Sequence, residues 1–202
     1  MKVMSKKSKE LVFEKTLALI INEETRKWVK KVLNIFPEYF WVDGASSTGK
    51  YHPACCNGIS GLLIHTKRVV WFVLKFISAL GDEINKETRD NVIAACILHD
   101  GFKGGKGKTN YKTYVDHPIL VEKYYKEQQG HLYAGLEPWQ QEIFTLIRYH
   151  MGPWSPEVVK KPLEKYTKLE WIVYLSDFLA SRKDLQTSVD SFGNLQLEYE
   201  EK

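Results

Sequence analysis

Cysteine is scarce in this chain, and its spacing is wrong for a scaffold. Three occur among 202 residues: the adjacent pair Cys55–Cys56, and Cys96 inside an apolar run. An odd count without framework spacing excludes a disulfide-stapled fold and points to a reducing, cytoplasmic compartment. Long apolar runs are missing too. The longest, from Val69 to Ile77, is broken by Lys75 and is too short to span a bilayer, so no membrane partner is expected. The basic start MKVMSKKSKE is not followed by the apolar stretch of a secretory signal. No internal repeat or low-complexity linker divides the chain, and no strand ladder is visible in its body.

What is present is the composition of a soluble globular protein, 44% hydrophobic and 27% charged, with enough residues for one sizeable core. The expectation is a single all-α domain over residues 1–202. It comprises N-terminal helices at 8–36, a core at about 45–185 and a tail at 186–202. The net charge of +4 suits a phosphate-bearing substrate, yet a solvated basic surface explains it equally well, so it does not by itself mark a nucleic-acid binder. Six tryptophans read first as core filling, with one or two rings available to stack on a base.

Helical periodicity runs through 8–36, where Leu11, Leu17, Ile20 and Ile21 give way to Trp28, Val32 and Ile35. A polar, turn-rich stretch follows at 43–50. A very apolar helix at about 59–80 must be central. Asn85 is placed to cap the next helix, which runs to about Leu98. A Gly/Lys-rich loop at 101–108 precedes a helix capped by Asp116 or His117, with Pro118 near its first position. Further helices are expected at 139–150, stopped by Gly152-Pro153, and at 169–182. The tail is expected to be loose or a short hairpin around Gly193.

Four polar residues stand where apolar ones belong. Val92, Ala95, Cys96 and His99 follow the i, i+3, i+4, i+7 pattern, so His99 extends a buried stripe, with Asp100 directly after it. Ile143, Leu146, Ile147 and His150 repeat the arrangement. His65 lies on the stripe of Leu62, Val69 and Phe72, and Asp177 on that of Leu169, Val173, Tyr174 and Ala180. A single buried histidine is ordinarily a hydrogen-bonded core residue. An isolated carboxylate on such a face is costly to desolvate unless paired, protonated or bound to metal. Several imidazoles and carboxylates pointing inward from different helices form the donor set of a bundle-type metal site.

Ile97-Leu98-His99-Asp100, the upstream Leu62-Leu63-Ile64-His65-Thr66 and the downstream Tyr174-Leu175-Ser176-Asp177-Phe178-Leu179-Ala180 together resemble the H…HD…D signature of HD-domain phosphohydrolases, over roughly residues 45–185. The resemblance implies that His65, His99, Asp100 and Asp177 bind one divalent metal. Branches such as the cyclic-dinucleotide phosphodiesterases and diadenosine tetraphosphatases hold a second ion, bridged by the Asp of the HD pair. His117 and His150 fall in the order of the two further histidines; otherwise His117 caps its helix and His150 packs in the core. Lys103 matches the lysine of the extended HD-x-x-K pattern, which binds phosphate or orients water, although Phe102 replaces the glycine expected before it. One or two transition ions (Mn, Fe, Co, Ni or Zn) are implied, Mg less so given the imidazole content. Asp100 and Lys103 are then the catalytic pair.

Gly44-Ala45-Ser46-Ser47-Thr48-Gly49-Lys50 has the GxxxxGK spacing of a P-loop, but Tyr51 replaces its Ser/Thr and no βαβ pattern surrounds it. The stretch 46–53 resembles a segment that precedes the first metal-binding histidine in some bacterial and phage HD proteins. Folded over the site, it would bring Lys50 and His52 to a substrate phosphate; otherwise it is an ordered loop capping the central helix. Arg182 is a further phosphate-clamp candidate. The expected substrate is a small phosphorylated compound, with a nucleotide or short single-stranded oligonucleotide as its class. A 3′–5′ exoribonuclease-like nuclease and a non-catalytic nucleotide-binding module are the alternatives. Oligomeric state is left open.

Overall fold

The computed structural model describes residues 6–46, 48–106 and 113–185, with two short strand segments beyond them. Ser47 and Lys108 of the two polar loops, and most of the tail, lie outside the described residues. Among the described residues, eight α-helices follow in order: α1 Lys6–Leu17, α2 Glu23–Leu33, α3 Glu38–Val42, α4 Gly61–Leu80, α5 Lys86–Leu98, α6 His117–Gln129, α7 Pro138–Arg148 and α8 Lys168–Ala180. The all-α expectation holds. In the tail, Ser188–Val189 pairs antiparallel with Leu195–Gln196, the hairpin expected there.

The N-terminal stretch is two helices with a break, because Asn22 caps α2 by accepting the Thr25 N–H at 3.0 Å. Its own N–H donates to buried Asp90 at 2.6 Å, which ties the break to α5. Helix α2 then buries Trp28, Val29, Val32 and Leu33. Asn85 caps α5 as expected, accepting from Thr88 at 2.9 Å. Two ends fall short of the sequence reading. Helix α7 stops at Arg148 and α8 at Ala180, so His150 and Arg182 sit just past helix ends.

Helix α4 is the central element and packs on α8, α5 and α3. Its buried Leu62, Val69, Val70 and Val73 each contribute about 1.5–3 kcal/mol by leaving water. Helix α5 is buried continuously from Asp90 to Leu98. The largest polar surprise on α4 is Arg68, fully buried. It donates from Nε to the Ala180 carbonyl at 3.1 Å and from Nη2 to that of Leu185 at 2.7 Å. A cation at a helix C-terminus satisfies carbonyls that the helix leaves open, so Arg68 fixes the end of α8.

Loop 43–57 is pinned to the start of α4. Ala45 N–H donates to the Cys56 carbonyl at 2.7 Å, and Leu62 N–H to that of Asp43 at 2.9 Å. A Cβ on Gly61 would lie 2.1 Å from the Cys56 oxygen, so only glycine lets the loop approach so closely.

Candidate metal centre

Six residues from five elements converge. His65 comes from the second turn of α4, nearer the helix start than the sequence suggests, and Asp177 from α8. His99 and Asp100 follow α5, His117 opens α6, and His150 follows α7. All four histidines and Asp100 are essentially inaccessible. The Asp177 side chain is 22% exposed because its carboxylate opens onto a cavity of about 410 Å³. This departs from the fully buried position its stripe suggests.

Asp100 divides the cluster. Its Oδ2 lies 3.6 Å from His65 Nε2 and 3.4 Å from His99 Nε2. Its Oδ1 lies 3.2 Å from His117 Nε2 and 3.7 Å from His150 Nε2. Asp177 Oδ1 belongs to the first half, 2.9 Å from His65 Nε2 and 3.6 Å from His99 Nε2. One carboxylate thus faces two imidazole pairs, and each set has its donor atoms within 4.8 Å of one another.

Local backbone geometry settles the tautomers. Nδ1 of His99 is 2.8 Å from the Cys96 carbonyl, that of His117 is 2.8 Å from Tyr114, and that of His150 is 2.7 Å from Ile147. A carbonyl only accepts, so each Nδ1 carries hydrogen and Nε2 is the ring nitrogen left to face the centre. Nε2 of His117 and His150 are then 3.1 Å apart. With each Nδ1 committed to a carbonyl, this contact takes either a proton or a metal ion between the two rings. Nε2 of His65 and His99 and Oδ1 of Asp100 are buried without hydrogen-bond partners among the described residues. Buried donors left this way are expensive unless an ion meets them. The residues therefore fit a metal: His65, His99, Asp100 and Asp177 on one side, Asp100, His117 and His150 on the other.

The charges agree with this division. Burial works against ionised Asp100, yet Lys103, His99 and His117 hold its carboxyl well below the usual range. The same holds for Asp177, where the adjacent imidazoles of His65 and His99 outweigh burial. Burial also opposes a charge on His99, but Asp100 and Asp177 together lift its pKa to about 10. His150 goes the other way, pushed down to about 3 by burial and by His99 and His117.

Lys103 stands where the sequence places it, its Nζ 2.7 Å from Asp100 Oδ2. Phe102, the residue that breaks the glycine pattern, is buried against Phe36 and Tyr124. Tyr39, which the sequence reading missed, holds the Lys103 turn. Its hydroxyl donates to the Gly105 carbonyl and accepts from the Gly104 N–H, both at 2.8 Å. Loop 43–57 does cover the site: Ala45, Ser46, Tyr51 and His52 line the cavity, and the His52 ring is 5.0 Å from that of His65. Both His52 nitrogens are buried without partners among the described residues, and burial pushes its pKa down to about 3. Arg182 also lines the cavity. Lys50 does not; it is exposed, over the Tyr51 ring.

The HD domain family model matches residues 62–182, more than half of the chain. The chain belongs to the HD domain family. That family is one of metal-dependent phosphohydrolases, and the matched segment includes all six converging residues. No curated protein and no solved structure matches the chain. No helix among the described residues is long and apolar enough to cross a membrane.

Proposed function

We propose that this HD-domain protein is a divalent-metal-dependent phosphohydrolase that cleaves a phosphomonoester or phosphodiester bond of a nucleotide or short oligonucleotide. The observation that carries the reading is Asp100, whose two oxygens face two separate histidine pairs beside a lysine. His65, His99 and Asp177 would hold one ion, His117 and His150 a second, with Asp100 shared. The donor set favours Mn, Fe, Co, Ni or Zn over Mg. Bound there, such ions lower the pKa of water toward neutrality and neutralise charge on phosphoryl oxygens.

The chain supplies the rest. Lys103, held by Tyr39 and paired with Asp100, offers a positive charge at the cavity floor for a phosphoryl oxygen. His52 stays neutral and offers one donor and one acceptor beside His65. Arg182 offers a planar donor set suited to phosphate. Lys50, at the outer rim, adds long-range attraction for an anion. The cavity size lies within the small-molecule range, which supports a nucleotide-sized substrate. The three unpaired cysteines fit a reducing, cytoplasmic setting.

The test is a screen of nucleoside mono-, di- and triphosphates, cyclic nucleotides and short RNA with Mn, Co, Ni, Zn and Mg. Phosphate-releasing or diester-cleaving turnover that is lost on chelation is expected. Turnover that survives complete chelation would contradict the proposal.

A further inference from the structure

One wall of the cavity is a continuous stack of planar groups from three separate segments. Trp154 and Phe178 are parallel, with centroids 5.9 Å apart and planes within 6°. The Arg182 guanidinium lies 4.5 Å from the Phe178 centroid and 5.3 Å from that of Tyr51. Lys50 Nζ continues the series 5.2 Å from Tyr51. Trp154, Phe178, Arg182 and Tyr51 all line the cavity.

Core packing does not account for this column. Trp154 is 60% exposed and Tyr51 51% exposed, whereas Trp41 in the core is 1% exposed. Nor is it loose. Trp154 closes the turn Gly152–Trp154, next to His150. Gly152 has φ +58°, and a Cβ there would lie 2.4 Å from the Tyr174 ring, so the turn sits against α8 in a backbone state that favours glycine. Arg182 is held between two rings, its Nη2 donates to Ser181 Oγ at 3.0 Å, and its Nε has no hydrogen-bond partner among the described residues. A guanidinium fixed in this way loses little freedom when it meets an anion.

We propose that this column recognises a single nucleotide unit, with the base stacked on Trp154 and a phosphate oxygen hydrogen-bonded to the Arg182 guanidinium. The proposal rests on the phosphohydrolase reading for the identity of the phosphate and adds the source of selectivity. Stacking on an exposed ring is tolerant of base identity, so the column selects a planar base over a bare sugar phosphate.

The experiment is calorimetric binding to the metal-loaded protein of two hydrolysis-resistant probes, the methylene phosphonate analogues of adenosine 5′-monophosphate and of ribose 5-phosphate. The nucleotide probe is expected to bind about ten- to a hundredfold tighter, as base stacking predicts. Trp154→Ala is expected to abolish that advantage, Trp154→Phe to keep most of it, and Arg182→Gln to weaken both probes alike. Equal affinity for the two probes in the wild type, or an advantage that survives Trp154→Ala, would overturn the proposal. Base-dependent binding in a protein that hydrolyses no phosphoester would support the column and contradict the hydrolase reading. Hydrolysis with no base preference would do the reverse.

Discussion

The two halves of the HD centre use similar ligands on different frames. His65 and Asp177 come from the interiors of α4 and α8, long helices packed on each other, with His99 completing the set. That half has two carboxylates, Asp100 and Asp177. His117 and His150 come from helix ends, each ring aimed by a carbonyl three residues back, and that half has only its share of Asp100. A cation meets one carboxylate more on the Asp177 side, although Lys103 already pairs with the Asp100 oxygen of that half. The difference teaches that the two positions should have unequal affinity although they share a ligand.

Asp100→Ala breaks the comparison outright, since it removes the carboxylate common to both halves. Loss of both ions and of turnover to background is expected, with metal content and activity measured on the same preparation. A smaller effect should follow from His117→Ala or His150→Ala. Each should drop the metal count from two to one and leave the Asp177 side loaded, whereas Asp177→Asn should weaken the tighter position first. Competition with a calibrated chelator reads the difference. Equal loss from both halves in every variant would remove the asymmetry.

Proton release sharpens the same contrast. His99 carries a proton lifted to about 10 by two carboxylates, and an ion must displace it. The first ion should therefore bind more tightly as pH rises toward 10, and its loading at pH 7 should release about one proton from His99. His150, pushed to about 3, is already neutral and should release none. Titration in buffers of different ionisation enthalpy counts these protons. In the metal-free protein the His99 proton stabilises the fold at pH below the ordinary histidine range, and that contribution is lost as pH rises through about 10.

The smallest effect belongs to Tyr39→Phe, which acts on the shared group through the Lys103 turn. Losing one or two hydrogen bonds of about 0.5–1.5 kcal/mol each should cost up to about tenfold in turnover per bond. The metal count should not change. A change confined to one half would show that Tyr39 does not work through Asp100.

Five of the six converging residues were legible because each occupies a stripe position or follows one, where a polar residue is costly and therefore conspicuous; His117 lies on no stripe and was legible only through the resemblance. His99 after Cys96 and Val92, and His150 after Ile147 and Ile143, announce themselves by periodicity. The break before α2 was passed over by the periodicity reading of 8–36, although Asn22 followed by Glu23 and Glu24 is a capping pattern. Tyr39 was not readable, because its partners lie about 65 residues away in a glycine-rich turn. The Trp154–Phe178–Arg182–Tyr51 column depends on rings from a 3-10 turn, a helix and a loop, and no single-segment pattern encodes such a stack. Arg68 drew no reading from the sequence, and only the end of α8 gives it a role.

The most direct measurement is elemental analysis of the full chain purified without chelator and then loaded with Mn, Fe, Co, Ni or Zn. Two equivalents of transition metal per chain are expected, falling to one in His150→Ala and to none in Asp100→Ala. A wild-type protein that emerges metal-free and takes up no ion under any of these loadings would contradict the account.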